Sequence, residues 1–192
     1  MSITGIVLAG GKGSRMDGID KGLLNFNGKP MVKHVLERLA PQVDQILISA
    51  NREIAQYESL GYPVIQDDIS GFAGPLAGLQ KGLQATKSAY VLTVPCDSPL
   101  LPANLASRLM NGLIKHDADL AVVKTGSQTQ PVFCLYRTSV LPSLEQYLQD
   151  GGRKVEDWQN SLEVVSVSFS DNPKAFSNIN TRDELAILEG AA

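Results

Sequence analysis

Short apolar runs alternate with amphipathic stretches along this chain. Residues 3–9 form an apolar run that ends in glycines, which reads as a buried strand. After Pro30, which suits a first helical turn, Val32, Val35, Leu36 and Leu39 recur at helical spacing. Residues 45–50 read as a strand, 53–60 as a helix, and 62–66 as a short strand ending at Asp67-Asp68. Pro75 opens a helix with Leu76, Leu79 and Leu83, and the strand at 90–94 is stopped by Pro95-Cys96-Asp97. Pro102 starts a helix with Leu105, Leu109 and Leu113. Residues 120–124 and 132–136 read as strands separated by a polar loop. Val140, Leu144 and Leu148 mark a helix, and 163–167 is a last strand. Thr181, with Glu184 three positions later, has the pattern of a capping box and opens a final helix.

Strand–helix alternation at this pitch predicts an α/β fold: a mostly parallel, twisted sheet with helices on both faces. With no repeat, no low-complexity tract and no long linker, residues 1–192 are expected to form one domain. Ligands of such sheets bind beyond the carboxyl ends of the strands. The polar, glycine-rich segments 10–20, 67–74, 95–99, 124–130 and 178–181 fall where strands end, so several of them should converge on one rim.

Composition supports an ordered core. Of 192 residues, 43% are hydrophobic and 19% charged, and a disordered chain would be less apolar and more highly charged. The net charge of −3 gives no basic field to hold a phosphate polymer, so nucleic acid is not expected as a partner. Cys96, Cys134, His34 and His116 lack the close paired spacing of a zinc site. Two cysteines make no disulfide framework, which fits a reducing compartment. No apolar run approaches the ~20 residues that span a bilayer, and no basic-then-apolar leader opens the chain. A cytoplasmic location away from membranes is therefore expected.

The candidate chemistry begins after the first strand, in Leu8-Ala9-Gly10-Gly11-Lys12-Gly13-Ser14-Arg15-Met16. Closely spaced glycines let the backbone approach a ligand, and successive N–H groups can cup an anion. Lys12, Arg15 and Lys21 add cations, so phosphate is the natural ligand. A Walker A loop is excluded because Gly11 stands where its lysine must be, and a dinucleotide fingerprint fails at Met16.

This opening, followed by Asp20-Lys21-Gly22-Leu23-Leu24 and Gly28-Lys29-Pro30-Met31, resembles the start of nucleotidyltransferases. The Asp-Lys-Gly-Leu version is similar to the molybdenum cofactor guanylyltransferases of the MobA type. Four further stretches fit: Gly74-Pro75-Leu76-Ala77-Gly78-Leu79, Pro95-Cys96-Asp97-Ser98-Pro99, Gln130-Pro131-Val132, and the run from Phe176 to Leu185 that contains Asn178, Asn180, Thr181 and Glu184. The resemblance spans nearly the whole chain. It implies a Rossmann-like nucleotidyltransferase fold. It also implies a reaction of GTP with molybdopterin cofactor that yields the guanine dinucleotide and pyrophosphate.

Joining one phosphate to another is mostly positioning and charge neutralisation, so a divalent metal and fixed cations suffice. The resemblance makes Asp97 the ligand of Mg²⁺, which commonly takes one or two carboxylates with phosphate oxygens and water. Asp97 could otherwise simply cap the turn before Pro99. Arg15 and Lys21 are implied to lie on the triphosphate, with Leu8, Ala9, Gly10 and Gly11 beside the nucleotide. Asp67 matches a nucleotide-contacting aspartate, and Asn178 and Asn180 match residues on the pterin side. Some family members have asparagine where this chain has Ser49, with Asn51 two residues on. Cys96 reads as a packing residue rather than a nucleophile, Lys29 as decoration of the turn before Pro30, and Asp117-Ala118-Asp119 as a solvated turn. GTP and the pterin cofactor are the expected partners, with transient contact to cofactor-delivery or molybdoenzyme maturation proteins. The alternatives left open are a cytidylyltransferase on the same pterin, a sugar-1-phosphate nucleotidylyltransferase, and a non-catalytic nucleotide-binding adaptor.

Overall fold

The computed structural model describes residues 1–9, 20–67 and 74–176. Strand β1 (Ile3–Leu8) is followed by a small hairpin of β2 (Asn25–Phe26) and β3 (Lys29–Pro30). Then come α1 (Met31–Leu39), β4 (Gln45–Ser49), α2 (Ile54–Glu58), β5 (Val64–Ile65) and α3 (Pro75–Ala85). The second half holds β6 (Tyr90–Pro95), α4 (Leu105–Lys115), β7 (Leu120–Thr125), β8 (Gln128–Arg137), α5 (Leu141–Gln149), α6 (Val155–Gln159) and β9 (Val164–Ser168).

Seven strands make one sheet in the order β5-β4-β1-β6-β8-β7-β9. β1 pairs in parallel with β4 and β6, β4 with β5, and β7 with β9. β8 alone of the seven runs against its neighbours, β6 and β7. The expected mostly parallel sheet is therefore present, with one inverted strand.

Side chains alternate between the two faces of each strand. Ile3 and Val7 of β1 join one core with Val35 and Leu39 of α1, Tyr57 of α2 and Leu109 of α4. Ile6, between them, joins the opposite core with Leu79 of α3, Leu144 of α5 and Trp158 of α6. Both faces are covered by helices, which is why β1 and β6 read as largely apolar runs, with Thr4 and Thr93 as their polar members, rather than as alternation.

The structure departs from the sequence-based reading in three places. The expected polar loop at 124–130 is largely the tip of the β7–β8 hairpin, where Lys124 pairs with Thr129 and Thr125 with Gln128. Gly126, at φ 59°, supplies the left-handed residue that the tight turn needs. The β2–β3 hairpin turns on Asn27-Gly28, both at positive φ, but its two-residue strands are too short to give an apolar period. The single-turn helix α6 shows one fully buried apolar side chain, Trp158, too few for a helical stripe. The expected helix after Thr181 lies outside the described residues.

Candidate active site

The parallel pairing runs one step past the strand ends. Ala9 donates its N–H to the Ser49 carbonyl at 2.8 Å, and Cys96 donates to the Leu8 carbonyl at 3.1 Å. The carboxyl ends of β1, β4 and β6 thus stand side by side, and the next residue after Cys96 is Asp97. The Lys21 ammonium faces the Asp97 carboxylate at 3.9 Å, with 22% and 14% of the two side chains exposed. Burial pushes the Asp97 carboxyl above its ordinary range; Lys21 opposes that shift and the Asp20 carboxylate adds to it. At 3.9 Å the pair has charge attraction without a close hydrogen bond.

Lys21 is presented by a 3₁₀ turn, Lys21–Leu23, whose cap is Asp20. Asp20 Oδ1 accepts from the Gly22 N–H at 3.1 Å and from the Tyr57 hydroxyl at 2.6 Å. Burial raises the Asp20 carboxyl too, against the lowering effect of those two donors. Gly22 is pressed so closely against its neighbours that a Cβ there would stand 2.7 Å from the Tyr57 hydroxyl and 2.9 Å from Cys96 Sγ. Cys96 is buried, and desolvation followed by the Asp97 and Asp20 charges pushes its thiol well up. That environment favours the neutral thiol over the thiolate.

On the other flank of the rim, Asp67 is locked to Asn51. Asn51 Nδ2 donates to Asp67 Oδ2 at 2.6 Å, and the Asp67 N–H donates to Asn51 Oδ1 at 3.1 Å. Ser49 is buried, 3% exposed, at the end of β4. Lys29 pairs with Glu37 of α1, away from this cluster. Asp117 binds Arg137 at 2.9 Å, and Asp119 accepts from the Glu163 N–H at 3.1 Å, so both serve the turn into β7.

Of the residues singled out from the sequence, Leu8, Ala9, Asp67 and Asp97 stand at or just past strand ends, and Lys21 stands on the 3₁₀ turn that faces Asp97. Gly10, Gly11, Lys12, Arg15, Asn178 and Asn180 lie outside the described residues. Sequence reasoning gave no role to Asp20 or Tyr57 and did not pair Asn51 with Asp67. Asp20 adjoins Lys21 in the quoted motif, which was a signal. Tyr57 is 37 residues from its carboxylate partner and reads only as a buried aromatic.

Among the described residues, no group of three or more His, Cys, Asp or Glu side chains could hold a metal ion by itself. The arrangement instead offers a shielded carboxylate with a cation opposite it, at the carboxyl ends of β1 and β6. That set suits a divalent ion that completes its shell with phosphate oxygens.

The family model for the MobA-like NTP transferase domain matches residues 5–164. The molybdenum cofactor guanylyltransferase of Bordetella petrii is 51% identical over 190 residues, covering 97% of this chain and 96% of that protein. That of Cupriavidus metallidurans is 50% identical over 192 residues, covering 97% and 94%. The crystal structure of molybdopterin-guanine dinucleotide biosynthesis protein A from Archaeoglobus fulgidus superposes with a TM-score of 0.81 at 26% identity, covering 98% and 97% of the two chains. A 4-diphosphocytidyl-2C-methyl-D-erythritol synthase from Anaerococcus prevotii shares the fold, with a TM-score of 0.78 at 14% identity over 99% and 95%.

Proposed function

The chain belongs to the MobA-like NTP transferase family, and we propose that it transfers GMP from GTP to the terminal phosphate of the molybdenum–molybdopterin cofactor. The products are the guanine dinucleotide cofactor and pyrophosphate. The observation behind this reading is the Lys21–Asp97 pair at the carboxyl ends of β1 and β6, in a chain about half identical to proteins named for that activity.

A pterin phosphate oxygen bonds to the α-phosphorus of GTP, and the bond from that phosphorus to the bridging β-oxygen breaks, releasing pyrophosphate. Two anions meet and a third departs, so the chain's task is to neutralise and align them. Lys21, fixed by its capped turn, offsets charge on the triphosphate, and Arg15 has the same role. Leu8, Ala9, Gly10 and Gly11 run beside the nucleotide. Asp67, held by Asn51 through one oxygen, turns its remaining acceptor capacity to the guanine N–H groups. Asn178 and Asn180 serve the pterin side.

Asp97 is the ligand for Mg²⁺. Its donor chemistry fits: the carboxylate is mostly shielded from water and faces the Lys21 ammonium at 3.9 Å rather than at hydrogen-bond distance, so a divalent ion would relieve its desolvation. When bound, the ion supplies Lewis-acid polarisation of phosphoryl oxygens. The chain's own part is to bring Asp97, just past β6, and Lys21, on its capped turn, face to face so that both reach the same phosphates.

A cytoplasmic location suits this reaction, with transient contact to proteins that deliver the pterin or accept the dinucleotide. No helix of the described residues is long and apolar enough to cross a membrane. Pyrophosphate release with GTP or CTP in the presence of the pterin cofactor is the test. Release with GTP is expected. Release with CTP alone would overturn the base assignment, and binding without release from either would favour an adaptor.

A further inference from the structure

We infer that Asp20 and Tyr57 form a strut whose purpose is to position Lys21 over the triphosphate. The inference rests on the reading above only in giving Lys21 a phosphate to meet. Lys21 sits between two residues that are both fixed. Asp20 precedes it and Gly22 follows it, and the Asp20 Oδ1–Gly22 N–H bond of 3.1 Å closes the turn around it. The same oxygen takes the Tyr57 hydroxyl at 2.6 Å, which ties the turn to α2. Tyr57 is fully buried in the core between the sheet and its helices. Behind the turn, the missing Cβ of Gly22 leaves only contact distance to the Tyr57 hydroxyl and Cys96 Sγ, the neighbour of Asp97. The lysine and the carboxylate it faces are therefore referenced to one rigid tyrosine–cysteine platform.

Capping alone does not account for an acid at Asp20. Serine or asparagine caps a turn about as well, without placing a second negative charge near Asp97 in a shielded setting. The acid is more strongly bonded to the tyrosine than a neutral acceptor would be, and that rigidity is what a positioning strut requires. A merely stabilising cap would not need it.

The test is a double-mutant cycle read by calorimetric titration of Mg²⁺–GTP into the full chain. Tyr57→Phe keeps the packing and deletes the hydroxyl; it should weaken triphosphate binding by about tenfold. In a Lys21→Met background the same change should have little further effect, because residues acting as one unit do not add. Asp20→Asn, which keeps an acceptor, should retain more affinity than Asp20→Ala. Equal effects of Tyr57→Phe with and without Lys21 would overturn the strut and leave a structural bond only, as would no effect at all. Should Tyr57→Phe fail to fold, Asp20→Ala takes its place in the cycle. If the wild-type chain binds CTP in preference to GTP, the base assignment fails while the cycle is run with CTP and still decides the strut.

Discussion

Two ion pairs in this molecule have opposite characters. Arg108 of α4 meets Asp171 with both ends of its guanidinium, at 2.8 and 2.9 Å. It also donates to the Ser168 carbonyl at 2.5 Å and lies 3.9 Å over the Phe169 ring. The Asp171 side chain is 63% exposed, and its bond to Arg108 draws its carboxyl below the ordinary range. Lys21 and Asp97 are more enclosed and stand 3.9 Å apart, and the Asp97 carboxyl moves the other way. The first pair is satisfied and fastens the segment after β9 to α4. The second holds opposite charges in a shielded place at more than hydrogen-bond distance, an arrangement that costs stability and suits a site.

The contrast can be broken most severely at Asp97. Asp97→Ala should cut turnover by at least about a hundredfold, while the circular dichroism spectrum stays that of the wild type; retained activity would move the metal elsewhere. Lys21→Met should follow with a loss of about ten- to a hundredfold in kcat/KM, measured by pyrophosphate release. Gly22→Ala drives a Cβ into the Tyr57 hydroxyl and Cys96. It should lower stability by about 1–3 kcal/mol in urea unfolding and reduce turnover with it. Arg108→Ala should lower Tm while leaving kcat/KM within about twofold, and a large loss of turnover would mean that this pair too belongs to the site.

The finest test uses proton linkage. The Asp97 and Asp20 carboxyls both titrate above their usual 3.8, so between that value and the raised one the folded chain binds more protons than the unfolded. Their contribution to stability is therefore present at low pH and is lost as pH rises through the raised range. Asp97→Asn should flatten that part of the stability curve and raise Tm at neutral pH by about a few degrees. An Asp171→Asn change should do the reverse: Asp171 stabilises above 3.8 and gives up that contribution as pH falls through its lowered value.

The fold was legible wherever burial is two-sided or helical spacing is strict. β1, β4 and β6 announce themselves because helices cover both of their faces, and α1 and α4 show four or more buried positions along one stripe. The hairpin tip at Thr125–Gln128 was hidden because its pairs are polar and partly exposed, so nothing apolar marks the ladder there. At the site, Lys21 and Asp97 were legible because each adjoins a punctuated strand end or glycine turn. Tyr57 and Asn51 were not. Each acts through one hydrogen bond network to a residue far along the chain, and an isolated tyrosine or asparagine has no period to betray it.

The inverted strand has a consequence for how such a scaffold can diversify. Because β8 enters the sheet at the edge where β6 and β7 leave it, the Gly126-Ser127 turn lies at the same edge as the carboxyl ends of β1 and β6, tethered through the Gly126 N–H to Ser170 Oγ at 3.1 Å. Residues added or removed at this bend would reshape that edge of the molecule while every ladder stays in register. Changing the contour of that edge therefore need not reopen the question of how the chain folds.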